Sequence, residues 1–160
     1  MTSSRRRSLL PPAAALVMLA AAGCSSTDAK ATITVPTPPK ATVALCGALH
    51  KALPQKLDGL RRNDPSPASE LTAGWGDDGI VLRCGIDRPE KMSDPEADGV
   101  TVDGVNWLLE QLKGGFRFTT TYRKAYVEVT MPTRGGRPAG DIGWLTGLSG
   151  PIKKTVPESL

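Results

Sequence analysis

The sequence predicts an α+β domain: an antiparallel sheet of about 5–6 strands built from hairpins, flanked by an N-terminal and a C-terminal helix. Three observations carry that expectation. Apolar residues recur every three or four positions after Ala41, short strand-like runs separated by turn residues fill the middle, and a second helical spacing closes the chain. The length of 160 residues suits one ordinary domain, and a hydrophobic fraction of 39% suffices for a modest core. Aromatic residues make up only 4%, which disfavours folds built on rows of stacked rings.

Taken in order, Cys46, Leu49, Leu53, Leu57 and Leu60 mark one apolar helix face, which Pro54 kinks or splits. Asn63-Asp64-Pro65-Ser66-Pro67 ends that segment. Leu71 to Trp75 and Ile80 to Cys84 then flank Gly76-Asp77-Asp78-Gly79, a hairpin signal. Val100 to Val102 and Val105 to Trp107 flank Asp103-Gly104, the favoured two-residue type I′ turn. Phe116 to Tyr122 and Ala125 to Met131 form the longest pair, joined by Arg123-Lys124. Phe116, Phe118 and Tyr122 are expected on its apolar face, and Arg117, Thr119 and Thr121 on a face open to water. Arg134 to Gly140 reads as a glycine-rich loop. Ile142, Leu145, Leu148, Ile152 and Val156 predict the closing helix, weakened by Gly147, Gly150 and Pro151.

The first residues say where the protein goes. Arg5-Arg6-Arg7, an apolar run from Ala13 to Ala22 and the exit Gly23-Cys24 have the three parts of a secretory signal peptide, expected over residues 1–23. The run falls short of the ~20 apolar residues that span a bilayer. Ala21-Ala22-Gly23-Cys24 resembles the bacterial lipobox, in which the cysteine thiol takes a diacylglyceryl group before cleavage. Ala21 stands where that motif more often has leucine, and an ordinary secretory cut near Gly23 is the plainer alternative. Ser4-Arg5-Arg6-Arg7-Ser8-Leu9-Leu10 partly resembles a twin-arginine export motif, but general-secretion signals are equally basic, so both routes fit. Cys24 is thus the expected lipid attachment site, with the outer face of the cytoplasmic membrane as the location. Residues 24–40 are the lipidated cysteine and a Pro-rich linker, and 41–158 a single extracytoplasmic domain. Fully extended, the linker reaches roughly 50 Å.

Removing Arg5–Arg7 with the signal changes the charge. The chain has 20 basic and 16 acidic residues, a net of +4; without those three arginines 17 face the same 16, a net of +1. The cysteine count changes as well. With Cys24 assigned, Cys46 and Cys84 remain, and an even remainder in an oxidising compartment points to one disulfide. A loop of roughly 40 residues closed in this way contributes about 4 kcal/mol in the chain-entropy account. A metal site or a catalytic thiol are the competing readings, but neither cysteine has a CxxC or a histidine at ligand spacing.

Several of these segments together resemble a known family. Leu45-Cys46 through Leu53-Pro54, Ala73-Gly74-Trp75-Gly76, Ile80 to Gly85, Val105-Asn106-Trp107, Ala125 to Val129 and Lys153 to Pro157 are similar to the actinobacterial lipoproteins grouped as domain of unknown function 3515. The resemblance implies an exported, membrane-anchored protein and implies no activity.

Candidate chemistry is sparse. His50 is the sole histidine, lies on the first helix beside the apolar stripe, and has no nucleophile motif such as GxSxG. Asp94, Glu96 and Asp98 followed by Gly99 open like an EF-hand loop, yet position 12 holds Val105 instead of glutamate, so a solvated acidic loop is expected. Asp77-Asp78 sits on a turn, where adjacent carboxylates point apart. Gly114-Gly115 and Gly135-Gly136 lack the frame that cradles phosphates, so no cofactor is expected. Arg83, Arg88, Arg117, Arg123 and Lys124 either form a basic patch for anionic envelope components or are balanced by nearby acids. Nucleic acid conflicts with export. The expected function is a non-catalytic binding or scaffolding lipoprotein of the cell envelope; the alternative is a glycan-acting envelope hydrolase using acidic residues.

Overall fold

The computed structural model describes residues 30–77, 79–133 and 141–159. The expected signal peptide, Cys24, Asp78 and the Arg134–Gly140 loop lie outside them. Helix α1 spans Lys40–Ala52 and follows Pro38-Pro39, whose fixed φ brings the chain in extended. It ends where the residue before Pro54 is pushed out of the helical region, with Leu53 at ψ 144°.

The helical spacing does not continue past Pro54 as expected. Lys56–Leu57 and Leu60–Arg61 are two short strands, β1 and β2, paired antiparallel around Asp58-Gly59. Both turn residues have positive φ, 54° and 76°, the conformation that an Asp-Gly type I′ turn adopts readily. Leu57 nevertheless reaches the core, at 3% exposure. It packs where Gly147 leaves room: a Cβ there would stand 2.7 Å from Leu57 Cδ1.

The main sheet has six antiparallel strands, as the α+β expectation required. They are β3 (Thr72–Trp75), β4 (Ile80–Ile86), β5 (Gly99–Val102), β6 (Val105–Leu112), β7 (Gly115–Thr120) and β8 (Tyr126–Pro132). Their spatial order is β3-β4-β8-β7-β6-β5. The hairpins at Gly76 and at Asp103-Gly104 form where expected, the latter with φ of 46° and 75°. The β7–β8 pair forms too, with Phe118 opposite Val129. A further hairpin, β6–β7 over Lys113-Gly114, was not expected.

The inner face of the sheet packs against α1 and the closing helix α2 (Thr146–Thr155). Trp75, Leu82, Val127 and Val129 meet Leu49, Leu145, Leu148 and Ile152, all at 2% exposure or less. Trp144, in the 3-10 turn before α2, stands edge-on to Phe118 at 5.5 Å and 81°. Ser149 sits in this core because Val102 O and Leu145 O share its single hydroxyl hydrogen. The disulfide joins Cys46 of α1 to Cys84 of β4, with Cα atoms 5.6 Å apart. The first helix is thereby pinned to the second strand of the sheet.

Two expectations about β7 and its turn need correction. The strand ends at Thr120, and Tyr122, with φ 54°, is 70% exposed and leaves the apolar face. Arg123 is not a solvated turn residue but is 6% exposed. Its guanidinium donates to Val156 O at 3.1 Å and Gly104 O at 3.3 Å and pairs with Glu158. The C-terminal segment thus closes over Arg123, which supplies donors to carbonyls that have no strand partner.

Opening the disulfide should cost about 4 kcal/mol through restored chain entropy in the unfolded state. Guanidinium unfolding of the Cys46→Ala/Cys84→Ala double variant measures it. A stability equal to the parent's contradicts that role for the bridge.

Candidate functional site

The segment expected to be a free spacer is part of the domain from Ala31 onward. Thr32 forms a bridge with Ser66; Ile33 N–H donates to Ser66 O, and Ser66 N–H donates to Ala31 O. Further along, Pro38 lies against Gly85, where a Cβ would stand 2.6 Å from its Cγ. Gly85 also has φ 86° and sits at an irregularity of β4, so this position needs glycine for two separate reasons. We call residues 31–39 the strap.

Under the strap lies the outer face of the sheet, which sequence alternation assigned to water. There Glu128 of β8 is directly opposite Arg83 of β4 and diagonal to Arg117 of β7. Glu128 is 5% exposed. Arg83 Nε and Nη2 both lie 2.8 Å from its Oε1, and Arg117 Nε lies 3.4 Å from Oε2. Arg117 also faces Glu110 across the β6–β7 pair at 3.8 Å. A carboxylate that has left water needs such partners, because unpaired it would cost several kcal/mol.

Two adjoining hollows open over this row. One of about 520 Å³ is lined by Thr34–Thr37 of the strap, by Arg83, Arg117 and Glu128, and by the Asp87–Glu90 segment. The other, about 320 Å³, shares Thr34, Arg83, Arg117 and Glu128 and continues past Val81 and Thr130. Together they form one groove with the strap as a wall. Three arginines and three carboxylates line its larger part, so the charges balance. Beside the groove, Glu110 Oε2, Arg117 Nε and Thr119 Oγ1 are buried with no hydrogen-bond partner among the described residues.

The remaining sequence candidates are placed as follows. Arg83, Arg88 and Arg117 come together in the groove, where Arg88 is held by Ser93 Oγ and Met92 O. Arg123 is buried at the other end of β8, and Lys124 is an exposed turn residue, so the five do not make one patch. His50 donates from Nδ1 to Thr72 O, with Arg62 Nη2 within 3.5 Å of both ring nitrogens. Arg62 in turn bonds Asp64 and lies 5.2 Å from the Trp75 ring. That cluster fastens β2 and the end of α1 to β3. Asp77 accepts from Asn63 Nδ2. Asp94 accepts from Lys91 and from the Glu96 N–H, and among the described residues no three His, Cys, Asp or Glu side chains are grouped for a metal. Glu128 and the strap threonines were missed; the alternation through Val127-Glu128-Val129 did mark Glu128 as facing away from the core.

A bridged α+β domain whose sheet is covered on its outer face by its own N-terminal strap is the class these features define. The chain belongs to the family of proteins of unknown function DUF3515, whose model matches residues 9–160. No curated protein and no solved structure shows a significant match to it.

Glu128→Gln removes the charge that two guanidinium groups share. The expected cost is about 2 kcal/mol, below the roughly 3–5 kcal/mol of a fully buried pair because both arginines keep solvent contact. Denaturant titration reads it, and an unchanged midpoint contradicts the pairing. At Asp94, the hydrogen bond from Lys91 and then that from the Glu96 N–H hold the carboxyl below its ordinary 3.8. Its contribution is therefore present above 3.8 and lost as pH falls through the lower folded value. A carboxyl-detected NMR titration should return that midpoint toward 3.8 in Lys91→Ala.

Proposed function

We propose that the chain is a lipid-anchored extracytoplasmic lipoprotein acting as a non-catalytic binding module of the cell envelope, with the strap-walled groove as its binding surface. The observation that carries this reading is the strap. The chain following the lipobox-like Ala21-Ala22-Gly23-Cys24 is bonded to the domain from Ala31, and Thr34–Thr37 form one wall of the groove. Seven residues on from Cys24 reach at most about 25 Å, half the extent expected of a linker free to Lys40. A lipid on Cys24 would hold the groove close to the headgroups.

The balanced lining favours a polar ligand bearing both signs of charge over a bare polyanion. The rival, a carboxylate-pair hydrolase, needs acids with oxygens directed at a substrate. Both oxygens of Glu128 face guanidinium groups instead. Among the described residues no helix is long and apolar enough to cross a membrane, so anchoring in this reading rests on Cys24.

Membrane fractionation of cells expressing the full chain or Cys24→Ala tests the reading. The parent should sediment with membranes and the variant should appear in the soluble extracytoplasmic fraction. Retention of Cys24→Ala on membranes overturns the lipid anchor.

A further inference from the structure

Away from the groove, across the 3-10 turn Glu90–Ser93, stands Tyr122. At 70% exposure it is the most exposed large apolar side chain among the described residues. Its φ of 54° is a conformation that bulky residues rarely adopt, because the Cβ crowds the backbone. The turn is nevertheless fixed. Ser159 N–H donates to Tyr122 O at 3.0 Å, and the next residue, Arg123, is anchored to Val156 O and bridged to Glu158. Strain of this kind persists only where the surroundings over-determine it, and it gathers at binding sites. Gly, Asn and Asp are the residues that take this conformation at least cost.

Hollows of about 280 and 360 Å³ open beside the ring, and Asn106, Thr121 and Tyr122 line both. The first adds Asp94 and Asp98; the second adds Glu158 together with its ion-pair partner Arg123. Asn106 Oδ1 accepts from Thr101 Oγ1, which leaves its amide N–H groups as donors.

We infer that Tyr122 is the platform of a carbohydrate site that takes a neutral pyranose chain. A pyranose offers a C–H face to an aromatic ring and a rim of hydroxyls that both donate and accept. Tyr122 supplies the apolar face, the Asn106 amide and Thr121 hydroxyl donate, and Asp98 and Glu158 accept. Asp94 and Asp98 in the first hollow disfavour an anionic polymer by like-charge repulsion, while Glu158 in the second is balanced by Arg123. The inference stands on residues separate from the groove and does not depend on its ligand.

The test titrates chitohexaose and cellohexaose into the full chain in a zwitterionic detergent, read by calorimetry and by NMR shifts at Tyr122 and Asn106. At least one sugar binds, with a dissociation constant of about 1 mM or tighter. Tyr122→Phe keeps the affinity within about twofold, whereas Tyr122→Ala weakens it about tenfold. Tyr122→Gly relieves the backbone, so it loses binding while its Tm rises by a few degrees. That variant separates lost recognition from lost folding. Failure of both sugars to bind, equal affinity in Tyr122→Ala, or a Tyr122 footprint made by a protein partner instead of a sugar overturns the inference.

Discussion

A single carboxylate organises the outer face of this protein. Glu128 lies in the middle of the sheet, nearly out of water, with one guanidinium on either side. An unpaired charge there would be prohibitively costly, so its strand needs Arg83 and Arg117 as neighbours. That requirement agrees with the strand order, in which the last strand in sequence, β8, inserts between β4 and β7. The chain leaving β4 then has to reach the far edge before it returns. The Asp87–Asp98 connection makes that passage, and its ends border the hollows on either side.

The inner face follows the ordinary logic of apolar burial, with α1 and α2 packed on alternating residues and the disulfide joining helix to sheet. The outer face is built differently, from ion pairs, a strap and a crossing loop. Between those two coverings the sheet keeps a groove with polar walls. Covering a charged row by a segment of the same chain lets part of that row stay solvated, which an apolar helix would not allow.

Much of the architecture is legible in local chemistry. Asp103-Gly104 adopts the turn its residues favour, and the parity of the cysteines gives Cys46 and Cys84. Other elements escape local reading for identifiable reasons. Leu57 and Leu60 continue the helical spacing by coincidence, while Asp58-Gly59 between them is the turn that decides. Leu108 and Leu109 lie side by side on β6, with Leu108 buried on the outer face, so the alternation that marks a half-wet strand is lost. The arginines of the site are visible as charges, but their carboxylate partners sit on strands distant in sequence. Nothing local to Arg123 says that the C-terminal segment covers it.

The account rests on the strap being a structural part of the domain, since it forms a wall of the groove and sets its distance from residue 24. Native-state hydrogen exchange at the Ile33 and Ser66 amides tests this directly, because both N–H groups are committed to the strap's bridge. Protection of both amides well above that of an unfolded chain is the expected result. Exchange of both amides at the unfolded rate in the parent chain would contradict it.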